Sequence, residues 1–138
     1  KEVEKELASV RTAQAMSQVS ELLAGAKILG GTSTITAVMP AGISADDLRK
    51  IATELCNRNQ NSATALISVN DSRPVLVVAT SQEARTNGVK AGALVKIGST
   101  LLGGGGGGKD DVAQGGGTDA SKVAEALSAI EGAIAGRA

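Results

Sequence analysis

The sequence contains no aromatic residue and no histidine. Without histidine, the Ser-His-Asp and Cys-His arrangements of nucleophilic enzymes are excluded, and so are metal sites that use imidazole. Cys56 is the single cysteine, so the chain holds no disulfide framework and no multi-cysteine metal site. Without Phe, Tyr or Trp, stacking on nucleobases falls to arginine. These absences argue against catalysis by this chain, and no cofactor or metal is expected.

Long apolar runs and a net charge are also missing. No stretch of about 20 apolar residues could cross a membrane, and no signal peptide opens the chain, whose charged start looks cut from a longer polypeptide. The 14 basic and 14 acidic residues are unevenly spread. Residues 27–109 hold 9 basic and 5 acidic groups, whereas residues 110–138 hold 2 and 5. The middle is therefore the candidate surface for a polyanion, although such a surplus also fits an ordinary solvated surface.

Glycine is the residue type that the chain has in excess. Nine of its 18 glycines lie between Gly103 and Gly117, in GGGGGGKDDVAQGGG. Ordering six consecutive glycines costs more backbone entropy than ordering any other hexapeptide. Such a run is either a disordered linker or a loop whose backbone lies very close to something. The polar insert within it favours the loop.

Two functions are open for this loop. Successive amide N–H groups without side chains can hold an anion such as a phosphate. The spacing imitates a nucleotide-binding P-loop, but Asp110 stands where a hydroxyl should ligate Mg²⁺ and a helix precedes the run. Asp110 and Asp111 also weaken an anion site electrostatically and can cap backbone amides instead. An architectural loop is thus the alternative.

Apolar periodicity predicts an α/β fold, in which helices flank a small mixed sheet and a long N-terminal helix precedes it. A helical connector over residues 1–26 and a globular domain over 27–138 are expected. Strands are predicted at 32–39, 64–69 and 74–80, and helices at 1–24, after Ser44, at 89–102 and after Asp119. The middle and last strands are nearly all apolar, which indicates that both of their faces are covered.

Three expectations concern smaller features. Residues 82–88 are expected to be irregular, and Cys56 is expected to be a small buried hydrophobe beside the apolar face of its helix. Gly103 suits the position that follows a helix C-terminus. The residues expected on the buried face of the helix at 89–102 are Leu94, Ile97, Gly98, Leu101 and Leu102.

The glycine segment, with NGVKAGALVKIGSTLLG before it and TDASKVAEAL after it, resembles the C-terminal domain of alanyl-tRNA synthetase, a DHH-associated domain. The resemblance covers about residues 30 to 136. It implies a cytoplasmic tRNA-binding module that grips the elbow of tRNA and helps couple aminoacylation with editing. It implies that the parent chain is a ligase, whereas this piece lacks a catalytic site. Other domains of the synthetase, and a second copy bound through the N-terminal helix, are the further partners implied.

The residues expected to contact nucleic acid combine the glycine loop with the basic middle. They are Gly104, Gly105, Gly106, Gly107, Gly108, Lys109, Gln114, Arg73, Arg85, Lys90 and Lys96. Lys109 is the preferred contact because it stands at the rim of an amide-rich loop. An oligomerisation module carried by the first or last helix, and the nucleic-acid-binding half of a DHH-type phosphoesterase, are the alternatives. The phosphoesterases more often carry a histidine within the glycine motif, and this chain has none.

Overall fold

The structure is a computed structural model that describes residues 26–29, 31–39, 45–57, 61–70, 73–86 and 88–135. The helix predicted for residues 1–24 lies outside the described residues, and so does Arg58 of the basic middle. No helix in the described ranges is long and apolar enough to cross a membrane.

Six strands form one sheet, and the helices pack on its two faces. The strands are β1 (Lys27–Leu29), β2 (Thr32–Met39), β3 (Ser62–Asn70), β4 (Arg73–Thr80), β5 (Gly105–Gly108) and β6 (Val112–Gly116). The helices are α1 (Ala45–Asn57), α2 (Gln82–Thr86), α3 (Ala91–Leu101) and α4 (Val123–Ala135), the last preceded by a 3₁₀ turn at Ala120–Lys122. The strand order is β1-β2-β3-β4-β6-β5. Only β2 and β3 pair in parallel among these neighbours, which confirms the mixed α/β sheet.

Strands β3 and β4 lie at the centre and are covered on both faces, as their apolar sequences predict. On one face, α1 packs Leu48, Ile51 and Leu55 against the sheet. On the other face, α3 and α4 bury the larger of the two apolar clusters, which includes Leu94 and Ile130. Spacings of three and four residues place these side chains on one side of each helix. The described residues thus close two cores with one shared sheet between them.

One local prediction was wrong, and one short strand was missed. Residues 82–86 form the short helix α2 rather than an irregular segment. The hydroxyl oxygen of Ser81 accepts a hydrogen bond from the backbone N–H of Ala84 at 3.4 Å, which is the bond of an N-cap residue. Strand β1, which was not predicted, is three residues long and pairs antiparallel with β2. Neither element is long enough to show a period in the sequence.

The buried face of α3 was also partly mispredicted. Ile97 and Leu101 are 37% and 38% exposed, although Leu94, Gly98 and Leu102 are buried as expected. The helix is rotated about its axis relative to the prediction, so that small residues, among them Gly92 and Ser99, lie toward the sheet. Its larger apolar residues then lie partly outside. Gly103 follows the helix with a φ of 83°, so the C-terminal signal was correct.

Candidate nucleic-acid interface

The glycine-rich segment is a β-hairpin and not the loop that its composition suggests. Strands β5 and β6 pair antiparallel, with Gly106 opposite Gly115 and Gly107 opposite Gln114. Strand β6 pairs in turn with β4, from Val75 opposite Gly116 onward. Its backbone hydrogen bonds therefore extend the central sheet by two strands. The prediction that this backbone approaches something closely is correct, and the neighbour on one face is α3.

One face of the hairpin is packed against α3 so closely that side chains are excluded. A Cβ atom built on Gly106 would lie 2.7 Å from Val95 Cγ1 and 2.4 Å from the Cα of Gly115. A Cβ on Gly115 would lie 2.2 Å from Ser99 Oγ. Distances below 3.0 Å are not reached by real Cβ atoms, so these positions accept only glycine without a shift of the helix. This half of the glycine pattern is architectural.

The opposite face of the hairpin is open. A Cβ atom on Gly105 or Gly107 would meet no atom within 4 Å among the described residues. Gln114 lies opposite Val77 on β4, which belongs to the core on the α1 side, so its exposed side chain stands on this same open face. Helix α1 covers β3 and β4. No residue of β5 belongs to the apolar cluster that α1 forms with the sheet. We call this surface, formed by Gly105, Gly107 and Gln114, the open hairpin face.

The turn that joins β5 to β6 carries Lys109. The rest of the molecule donates hydrogen bonds to both central carbonyl groups of this turn, those of Asp110 and Asp111. The Asp110 carbonyl accepts hydrogen bonds from Thr80 Oγ1 at 2.5 Å and from the Ala91 N–H at 2.9 Å. The Asp111 carbonyl accepts from the Thr80 N–H at 2.8 Å. The Lys109 N–H closes the turn by donating to the Val112 carbonyl at 3.1 Å. Lys109 is therefore exposed on a fixed backbone.

The Asp111 carboxylate caps a backbone amide as expected, whereas Asp110 accepts from an amide through its main-chain carbonyl. Lys90 occupies the N-cap position of α3 and supplies no side-chain hydrogen bond, so the Asp110 carbonyl caps the helix by accepting from Ala91. The Asp111 carboxylate accepts from the Val112 N–H at 2.9 Å. The Asp111 carboxylate is therefore the acceptor for one N–H group of the turn, that of Val112.

Three of the expected cations lie near this turn. Arg85 and Lys90 line one depression of about 480 Å³ together with Asp110 and Asp111, and Lys109 is the next residue of the turn. The Arg85 guanidinium is half-buried and donates to the Thr80 carbonyl, so part of its bonding capacity is used inside the molecule. The turn end of the sheet is therefore rich in charge of both signs.

Arg73 and Lys96 do not join this group. Arg73 begins β4 and Thr80 ends it, so about seven residue steps of roughly 3.3 Å separate Arg73 from the turn end. Lys96 is exposed on the outer side of α3, about 9 Å along the helix axis from Lys90 at 1.5 Å per residue. A single phosphate cannot touch all of these cations.

A cleft of about 580 Å³ adjoins the turn between α1 and the end of β4. Asn57, Arg85 and Asp111 contribute polar groups to its lining, and Cys56 lies at its inner wall. Burial raises the pKa of the Cys56 thiol above its ordinary value, against the opposing effect of hydrogen bonding with the side chains of Thr64 and Ser62. The thiol is consequently neutral at physiological pH and serves as the small buried group that was expected.

The sequence did not indicate the residues that hold the turn. Thr80 and Ala91 are both buried and make their bonds to the turn through a hydroxyl and a backbone amide. The one available signal is the hydroxyl residue at the end of an otherwise apolar strand, and such residues are common. Asn57 and Thr53, which line the cleft, carry no motif either.

The fold and this hairpin define a class of protein. The family model described as the DHHA1 domain matches residues 31–136, so the chain belongs to the DHHA1 family. Within that class it is 48% identical, over 99% of its length, to an alanine–tRNA ligase of Paenarthrobacter aurescens, of which the match spans 16%. The crystal structure of the C-Ala domain of Aquifex aeolicus alanyl-tRNA synthetase aligns with a TM-score of 0.74 at 25% identity, covering 80% of this chain and 97% of that one. The expected resemblance to the C-terminal domain of alanyl-tRNA synthetase is confirmed.

More distant structures share the fold alone. RecJ of Thermus thermophilus, solved with Mg²⁺, aligns with a TM-score of 0.62 at 15% identity over 92% of this chain and 18% of its own. The chain spans about one sixth of the length of the curated relatives that it matches.

Proposed function

We propose that this chain is a tRNA-binding module of an alanine–tRNA ligase. In this proposal it grips the elbow of folded tRNA and helps to bring aminoacylation and editing to bear on the same tRNA molecule, in the cytoplasm. The observation that carries the proposal is the 48% identity to an alanine–tRNA ligase over 99% of the chain. A tRNA and the remaining domains of that ligase are the proposed partners.

The two faces of the hairpin support a contact with a large, smooth ligand. Packing against α3 accounts for Gly106 and Gly115, but it does not account for Gly105 and Gly107, whose Cβ positions meet no described atom within 4 Å. Glycine at a free position is costly, because it loses more conformational entropy on folding than any other residue. A nucleic-acid backbone that lies directly on the open hairpin face would explain why both of these positions are glycine.

The mode of recognition follows from the composition. With no aromatic side chain, the chain has no aromatic platform for base stacking, so phosphate and shape contacts should dominate. Lys109 at the turn is the proposed central contact, and Lys90 and Arg85 flank it. Such contacts release counterions, so affinity should fall with salt, with a log–log slope of about minus three to minus five.

The test is a titration of the chain with a whole tRNA and with an isolated acceptor-stem minihelix at fixed salt. The elbow exists only where the two arms of the L-shaped tRNA dock, so the tRNA should bind more tightly. Equal affinities would overturn the elbow proposal, and binding to neither RNA would favour a protein-interaction module. The isolated chain should show no aminoacylation and no deacylation, and either activity would contradict the proposal.

Two substitutions separate contact from architecture at the hairpin. Gly107→Ala adds a methyl group to the open hairpin face and should weaken tRNA binding about threefold to tenfold while the thermal unfolding midpoint is kept. Thr118→Ala is the matched control, because Thr118 is exposed beyond the hairpin and lies outside the proposed interface. Unchanged affinity in Gly107→Ala would leave the hairpin an architectural element, and the proposed contact would move elsewhere.

A further inference from the structure

Thr80 is buried and yet bonds directly to the exposed turn that carries Lys109. It is the last residue of β4, which has a neighbouring strand on each side, and it is 3% exposed. Its backbone N–H reaches the Asp111 carbonyl at 2.8 Å, and its hydroxyl reaches the Asp110 carbonyl at 2.5 Å. One residue of the central sheet thus bonds both central carbonyls of the turn.

These bonds fix the direction in which the turn presents its polar groups. A trans peptide group holds its C=O and its N–H on opposite sides of a plane. Because the Asp110 carbonyl points inward to Thr80, the N–H group of Asp111 points outward. The next amide, that of Val112, is already bonded to the Asp111 carboxylate. An outward amide in a turn that also carries a lysine is a group from which an RNA phosphate accepts a hydrogen bond.

We infer that Thr80 is a positioning residue for RNA binding, which acts through Lys109 and the Asp111 amide without touching the RNA. The inference rests on the proposed function of the turn. The hydroxyl is the part of Thr80 that a substitution can remove, because its backbone bond to Asp111 stays with any side chain. Without the hydroxyl, the Asp110 carbonyl keeps a single anchor at the Ala91 N–H, and the peptide group can rotate about it.

The primary test compares Thr80→Val with Thr80→Ser in the 138-residue chain. Valine has the shape of threonine but lacks the donor, and it is favoured in strands, so the sheet should persist. We expect Thr80→Val to weaken tRNA binding about threefold to tenfold, the range expected for one lost phosphate contact, and to lower the magnitude of the salt slope by about one. Thr80→Ser, which retains the hydroxyl, should restore both quantities.

Coupling to Lys109 distinguishes positioning from a general loss of structure. If Thr80 acts through Lys109, Thr80→Val should weaken binding by less than about 1.5-fold in a chain that already carries Lys109→Ala, because interacting residues give non-additive effects. Full additivity of the two substitutions would overturn the inference. Thr36→Val is the matched control, since Thr36 lies on β2 and its hydroxyl donates at 2.7 Å to Glu131 on α4, and it should leave affinity unchanged.

A measurement without RNA keeps the two proposals separable. The Lys109 amide donates to Val112 across the turn, so its hydrogen exchange should be faster in Thr80→Val than in the parent chain. If the parent chain does not bind tRNA, the proposed function fails whatever the exchange rates are. If the parent binds tRNA and Thr80→Val binds equally well, the positioning inference alone fails. If Thr80→Val does not fold, Ala91→Pro takes its place, because it removes the second anchor at a helix position that accepts proline.

Discussion

At the scale of single residues, neighbouring glycines in one strand differ in what they tolerate. Gly106→Ala would place its Cβ 2.7 Å from Val95 Cγ1 and 2.4 Å from the Gly115 backbone. Overpacking that must move a backbone should cost about 2–4 kcal/mol of unfolding free energy. Chemical denaturation of the variant measures this cost.

Gly107→Ala is the internal control for that experiment. Its methyl group would enter open space, and its backbone lies outside the left-handed region that only glycine favours. The unfolding free energy should stay the same or rise by up to about 1 kcal/mol, because alanine restricts the unfolded chain. Equal losses in both variants would contradict the description of a hairpin with one packed and one open face.

A pH dependence is expected at Asp119, which caps the 3₁₀ turn before α4. Its carboxylate accepts hydrogen bonds from the backbone N–H and the hydroxyl of Ser121, and these bonds lower the pKa of Asp119 below its ordinary value. A lowered folded pKa stabilises the fold above the pKa of an unfolded aspartate, about 3.9. This contribution disappears as the pH falls from there through the folded value.

The measurement compares thermal unfolding midpoints of the parent and Asp119→Asn between pH 7 and pH 2. The difference between the two proteins should be largest at neutral pH and should shrink below pH 4, since asparagine does not titrate. A difference that grows in acid would show that the carboxylate is not the stabilising form.

At the scale of elements, α3 is the helix that the glycine hairpin requires. Gly98 of α3 lies against two buried side chains, and a Cβ there would be 2.5 Å from Leu76 Cδ2 and 2.9 Å from Ile130 Cδ1. Gly98→Ala gains about 1 kcal/mol of helix propensity but must displace both side chains, at about 1–3 kcal/mol. We expect a net loss of unfolding free energy.

Gly132 offers the same substitution without the crowding. It lies in α4, and a Cβ there would meet no described atom within 4 Å. Gly132→Ala should therefore raise the unfolding free energy by about 1 kcal/mol. Differential scanning calorimetry of both variants checks the opposite signs, and a gain in Gly98→Ala would mean that α3 can move away from the sheet.

The elements that the sequence predicted correctly are those whose side chains carry a period. Strands β2 to β4 and helices α1, α3 and α4 were found because apolar spacing follows the surface that each buries. Strands β5 and β6 were predicted as a loop because glycine has a poor strand propensity and no side chain to show a face. What makes them strands is the closeness of α3, which is a tertiary contact. The exposure of Ile97 has the same cause.

The candidate site was predictable only in part. Lys109 and the glycines were identified because their pattern is unusual. The sequence placed Arg73 in the same group, but β4 carries it to the far end of the sheet. The anchor at Thr80 depends on strand register, since the Asp110 turn reaches it only when β6 pairs with β4 as observed. Register of this kind is not encoded in a local pattern.

At the scale of the whole molecule, the described residues supply side chains to both apolar cores. The two apolar clusters draw on residues from Ala26 to Ile134. Deleting residues 1–25 should therefore leave a protein that unfolds cooperatively and binds tRNA through the hairpin. Calorimetry of the truncated protein tests the first expectation, and loss of a cooperative transition would show that the N-terminal segment completes a core.

The same deletion addresses self-association. Sedimentation of the parent chain and of the truncated chain over a range of concentrations would show whether residues 1–25 carry a dimer contact. A dimer that becomes a monomer on truncation would assign the contact to that segment. A dimer that persists would instead direct attention to the partly exposed Ile97 and Leu101 on α3.

The near absence of side chains from the hairpin also has a consequence for the order of folding. Strands β5 and β6 have little apolar surface with which to attract each other, and more than 30 residues lie between β4 and β6, so their pairing closes a long loop. Their pairing should thus form late, after the central strands and α3 have come together. In stopped-flow experiments, Gly106→Ala should accelerate unfolding in proportion to the stability that it removes and should leave the refolding rate nearly unchanged. The glycine hairpin would then govern how long the native state lasts and have little influence on how quickly it is reached.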